Sequence, residues 1–165
     1  MSYDQLLEPI LDTWDRNHRI LVNLLRAVPP GGMEARATEE SPTVAEMFAH
    51  MIYVRLVFLA EDVPEFALGE PRDWIPVRDP ERLAAGLEAS AQAVRQAVSS
   101  CIERGQAMQV HYDHPLLFLG HMIWHEGYHH GQIKLALKIA DHPLENKAIG
   151  PVTWRVWMNK SDAGR

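Results

Sequence analysis

Cysteine is almost absent from this chain. The lone Cys101 excludes an intramolecular disulfide and any thiolate cluster, so a bound metal ion must be held by imidazole and carboxylate groups. Basic clusters are missing as well. Against 22 Asp and Glu there are 16 Lys and Arg, a net charge of −6, and no basic run, which argues against a nucleic-acid partner. Long apolar runs are absent too: the most apolar stretch, Leu116 to Trp124, is far too short to span a bilayer. The opening residues Met-Ser-Tyr-Asp-Gln-Leu-Leu-Glu-Pro lack the apolar stretch of a signal peptide. The expectation is a cytoplasmic protein with no membrane partner. No internal repeat, low-complexity segment, linker or convincing strand interrupts the 165 residues, which suit a single domain over 1–165.

What is present is helical periodicity. Leu6, Leu7, Ile10, Leu11, Trp14, Ile20, Leu21, Leu24 and Leu25 predict a first helix to about Val28, with Ser2 as N-cap and Pro9 in its first turns or at a kink. Pro29-Pro30-Gly31-Gly32 stops it. Ser41-Pro42 reads as the N-cap and first position of a second helix running to about Glu61, apolar nearly all round and therefore buried on most sides. Residues 62–78, with Pro64, Gly69, Pro71 and Pro76, predict a long loop with Phe66 and Trp74 tucked down, the kind of segment that walls a site. Asp79-Pro80-Glu81 opens a third, amphipathic helix that stops at Gly105. Asp113-His114-Pro115 opens a fourth that reaches about Ala140, and a short tail follows with two Trp side chains expected to pack down. The fold class is all-α, an up-down four-helix bundle with a long loop after helix two and a short C-terminal tail.

The fourth helix carries the chemistry. Residues 120–133 hold four of the nine histidines, and His121, His125 and His129 recur every fourth residue. Each such step turns about 40° around a helix, so the three rings share one face. A histidine pair at this spacing can converge on one metal ion, and a facing helix of a bundle can add a further ligand. His50, inside the apolar second helix, is the candidate; on its residue environment alone it reads equally as a satisfied core histidine. Gly120, Gly127 and Gly131 fall together roughly opposite the histidines, each costing about 1 kcal/mol in a helix interior, and close approach of a neighbouring helix is the expected reason. Glu126 lies about 100° off the histidine face and is expected in a surface or capping ion pair. Arg55 needs an anionic partner, with Glu46, Glu61 or a substrate group as candidates. Tyr53 and Trp74 read first as core aromatics, with pocket walls as the alternative. His125-Glu-Gly-Tyr-His129 also matches the zinc-peptidase pattern in which the glutamate serves as general base; the apolar flanks and the lack of a clear third ligand make that the weaker alternative.

His-Glu-x-x-His-x-Gly-Gln-Ile near the end of a fourth helix, with a histidine following Ser-Pro-Thr-Val-Ala-Glu-Met-Phe-Ala on a second, resembles the DinB/YfiT-like family over most of the chain. The resemblance implies a four-helix bundle, often homodimeric, binding zinc or nickel through three histidines. Carried over by motif position, these are His50, His125 and His129. His130 stands where many relatives have arginine and should point away from the metal, and His121 should support the ligands or line the pocket. Some members transfer low-molecular-weight thiols, so the resemblance implies a metal-dependent enzyme, a thiol S-transferase or hydrolase with a small-molecule substrate. A non-catalytic metal-binding stress-response protein is the alternative.

Overall fold

The computed structural model describes residues 4–158. Among these residues the chain is all-α, without strands. Four long helices, α1 (Asp4–Arg26), α2 (Val44–Asp62), α3 (Pro80–Glu103) and α4 (Pro115–Ile139), pack against one another, and a short α5 (Asn146–Ile149) follows. The predicted cap at Ser2 lies outside the described residues, and α1 runs on through Pro9.

The start of α2 differs from expectation. Thr43, not Ser41, is its N-cap. The Thr43 hydroxyl accepts from the Glu46 amide and the Glu46 carboxylate accepts from the Thr43 amide, a reciprocal box that satisfies two otherwise unpaired donors. Ser41 bonds the Thr38 hydroxyl instead. The second Glu46 oxygen accepts from Arg78 at 2.7 Å, which ties the end of the 62–78 loop to this cap. α3 begins as read: the Asp79 side chain accepts from the Arg82 amide, Pro80 follows, and Gly105 ends the helix at φ +62°. His114 caps α4.

Trp14, Phe48, Phe118, Leu11, Leu21, Leu24, Leu83 and Leu87 fill the interior between the four helices. Trp14 remains satisfied there, because its indole N–H donates to the Ala91 carbonyl at 2.9 Å. Trp74 does not roof a pocket. Its ring occupies the slot left by the missing side chain of Gly86 on α3, where an added methyl carbon would lie 2.3 Å from the ring. The tail is held to α1 by Arg16 and Asn23, which donate to the Val156 and Val152 carbonyls. Thr153 and Val156 are buried there. Trp154 and Trp157, expected to pack down, stay substantially exposed.

The glycine strip also departs from expectation. No atom lies within 4 Å of a methyl group built at Gly120, Gly127 or Gly131, and all three face away from the neighbouring helices of the chain. These two kinds of helical glycine predict opposite mutational signs. Gly86→Ala overpacks against Trp74 and should destabilise by about 1–3 kcal/mol. Gly127→Ala meets nothing within the chain and should stabilise the monomer by about 0.5–1 kcal/mol. Chemical denaturation of the two variants checks both signs.

Candidate metal centre

α2 and α4 lie side by side, and their pairing brings residues distant in sequence to one point. His125 and His129 stand one turn apart on α4, with their Nε2 atoms 3.1 Å apart. His50, from α2, places its Nε2 3.3 Å from that of His125. The ligand-competent nitrogens of all three lie within 4.8 Å of one another, and no carboxylate joins this set. Of the histidines singled out in the sequence, the structure brings together His50, His125 and His129; His121 and His130 stand outside.

The hydrogen bonding around His129 decides which of its nitrogens faces the cluster with a lone pair. Its Nδ1 lies 2.7 Å from the Gln132 Oε1, while the Gln132 amide nitrogen donates to the Tyr128 hydroxyl at 2.9 Å. A carbonyl oxygen only accepts, so His129 carries its proton on Nδ1 and presents a bare Nε2 to the other two rings. An outer hydrogen bond of this kind orients a metal-binding imidazole. Gln132 was visible in the sequence as part of the His-Gly-Gln run; its job of fixing a tautomer was not.

The rings are also held neutral. Burial pushes the His125 pKa down to about 4, aided by repulsion from His129, His50, His121 and Arg55. Desolvation lowers His50, and desolvation followed by repulsion from His50 lowers His129. Three uncharged nitrogen donors aimed at one point suit a borderline-soft divalent cation. The donor set therefore fits a divalent ion, and His50, His125 and His129 are the residues that could hold one.

Behind the triad sits a charge pair that corrects two expectations. Glu126 is fully buried, not superficial, and its Oε1 accepts from Arg55 Nε at 2.5 Å. Its other oxygen accepts from the buried Asn17 amide. Arg55 also donates to the Leu87 carbonyl at 2.9 Å and to the Ser90 hydroxyl at 3.1 Å, and lies over the Trp14 ring. Its partner is thus Glu126, since Glu46 is committed to the α2 cap and Arg78, and Glu61 lies beside His111. A glutamate locked in this way cannot act as the general base of the zinc-peptidase pattern, so that alternative falls.

One turn before His125, the His121 Nδ1 lies 2.7 Å from the Tyr112 hydroxyl. Tyr112 comes from the segment between α3 and α4. Nothing in its composition announced a role, because the fixing contact comes from another helix. The buried Asp62, the last residue of α2, accepts from the Val110 and His111 amides at 2.8 Å each and pairs with the His111 ring. Burial and the Asp62 charge push the Tyr112 phenol up to about 12. Tyr53 lies beside His50, the two rings stacked with centroids 6.4 Å apart. His130 is half-buried, and burial followed by repulsion from Lys134 lowers its pKa.

No helix among the described residues is long and apolar enough to cross a membrane. Neither a curated protein nor a solved structure matches the chain. The family model described as the DinB family matches residues 1–145, all four long helices and the three converging histidines included, and the chain therefore belongs to the DinB family.

Proposed function

We propose that this protein binds one divalent ion, zinc or nickel, through His50, His125 and His129, and uses it in a reaction on a small molecule, either thiol transfer or hydrolysis. The observation that carries this reading is the convergence of three Nε2 atoms on neutral rings with no carboxylate among them. When bound there, the ion keeps its full charge and lowers the pKa of a thiol or water that reaches it. The residues' part is to hold that position neutral and to keep the rings aimed: Gln132 fixes His129, and the Arg55–Glu126 pair braces α2 against α4. The same reading includes a cytoplasmic location, a low-molecular-weight thiol as co-substrate and no nucleic-acid partner. A homodimer built on α4 also belongs to it, because the open glycine strip is bordered by exposed Leu117, Trp124 and Tyr128.

One observation favours a second reading, a metal-binding protein without catalysis. The acidic side chain nearest the triad in sequence, Glu126, is fully committed to Arg55 and Asn17 and unavailable for proton transfer. Elemental analysis of protein purified without an affinity tag tests the shared part. About one ion per chain is expected, falling to background in His50→Ala; unchanged metal in that variant removes His50 from the centre. Conjugation of a panel of small thiols to an electrophile, with and without chelator, separates the two readings, since a chelator-insensitive rate leaves only the binding protein.

A further inference from the structure

The Tyr112–His121 pair is not absorbed by the triad. His121 is exposed, its ring centroid is 6.3 Å from that of His125, and it packs edge-on against Phe58, which also borders Tyr112 and His111. Its position one helical turn before His125 sets it along the same face of α4, about 6 Å up the axis. The segment that brings Tyr112 to it is not loose. Asp62, fully buried, holds Val110 and His111 by both backbone amides and by the His111 ring, and its own carbonyl accepts from the Gln109 amide at 3.3 Å. Such anchoring of a segment by a buried carboxylate fixes where the phenol stands.

The direction of this hydrogen bond sets the His121 tautomer. A tyrosine hydroxyl can donate to a bare imidazole nitrogen or accept from its N–H; where it donates to the Nδ1 of a neutral ring, that ring carries its proton on Nε2. With Tyr112 as the donor, His121 has the tautomer opposite to that of His129. His129 turns a bare Nε2 to the cluster, whereas His121 in that tautomer offers an Nε2–H. No hydrogen bond engages that Nε2–H among the described residues.

We propose that His121, set in this tautomer by Tyr112, is a hydrogen-bond donor to the small molecule that occupies the three-histidine centre, recognising an acceptor atom one or two bonds from the one bound by the ion. This rests on the metal reading above and adds to it a ligand-binding role for His121 and a positioning role for Tyr112. The ligand class it selects is a small anion or a molecule with a second acceptor atom one or two bonds from its ligating atom, in preference to a simple alkyl thiol.

The test uses the full chain loaded with cobalt(II), whose visible spectrum reports on the centre, titrated with azide, an anion with a terminal acceptor nitrogen. His121→Phe should keep its cobalt and bind azide about tenfold more weakly, the loss expected for one hydrogen bond to a charged acceptor. His121→Gln, whose side-chain amide restores an N–H donor, should stay within about threefold of the parent, a rescue that a merely space-filling role would not show. Tyr112→Phe leaves both tautomers of His121 accessible and should cost about twofold. Equal azide affinity in the parent and His121→Phe overturns the proposal. So does loss of cobalt from His121→Phe, which would make His121 a ligand. Cobalt uptake by the parent is the separate control: if the parent takes up none, the metal reading fails first and this inference is overturned with it.

Discussion

Arg55→Met should lower the thermal unfolding midpoint by about 10 °C, the largest effect expected of a single substitution outside the triad. Both members of the Arg55–Glu126 pair are 0 % exposed, so removing one leaves the other charged and buried with too few partners. Breaking such a pair costs about 3–5 kcal/mol, and about 1 kcal/mol moves the midpoint of a chain this size by roughly 2–4 °C. Glu126 would retain only Asn17, and the Leu87 carbonyl would keep only its contacts within α3, the Ser90 hydroxyl among them. Glu126→Leu should behave alike for the mirror-image reason. The double variant Arg55→Met/Glu126→Leu should recover most of the loss, because replacing both partners by apolar groups removes the desolvation penalty along with the attraction. Scanning calorimetry of the three variants checks the sign of that coupling. If the double variant loses as much as the two singles combined, the two residues act independently and the pair is not the brace between α2 and α4.

The position of Glu126 was legible, though the sequence reading placed it on the surface. Around α4 the bearing of Glu126 coincides with those of Leu119, Met122, Ile133 and Leu137, all buried. The histidines sit at the edge of that apolar arc, so an offset of about 100° from them leads into the core on one side and into solvent on the other. Measuring from the histidines alone hid this; measuring from the apolar residues reveals it. The partner was a different matter. Arg55 announced a need for an anion, but several carboxylates were within plausible reach, and only the packing of α2 on α4 selects Glu126. The same limit applies to His50. The His125–His129 pair follows from helical periodicity, whereas the third nitrogen depends on a contact across 75 positions; its surroundings made His50 a candidate evenly matched with a core histidine, and the family resemblance decided between them. Trp74 and Gly86 show the converse. Gly86, which the sequence reading did not single out, does meet a close approach, with the Trp74 ring filling the gap, whereas the strip on α4, read as a close approach, meets nothing within the chain. Local sequence marks that a position is small; what comes near it is a tertiary fact.

Zinc added at about a thousand times its dissociation constant should stabilise the protein by about 4 kcal/mol, a rise in the unfolding midpoint of roughly 8–16 °C. A chelator should abolish the rise, and so should His50→Ala, His125→Ala or His129→Ala. The dependence on pH carries more information than the rise itself. In the metal-free folded state the three rings have pKa values below the usual 6.5, that of His125 about 4, so each resists protonation more than a free imidazole does. The unfolded chain protonates the same rings near 6.5, and therefore binds more protons than the folded chain between about pH 6.5 and 4. Stability of the metal-free protein must then fall as the pH is lowered through that window, and is recovered above it. Zinc competes with protons only where the folded site itself protonates. The zinc-induced rise should accordingly survive at pH 6, where free imidazole is already largely cationic, and vanish on approach to pH 4. Differential scanning fluorimetry at half-unit pH steps, with zinc and with chelator, resolves both curves. A zinc effect that is already gone at pH 6.5, or that persists undiminished in His129→Ala, would mean that the stabilising ion sits somewhere other than among these three rings.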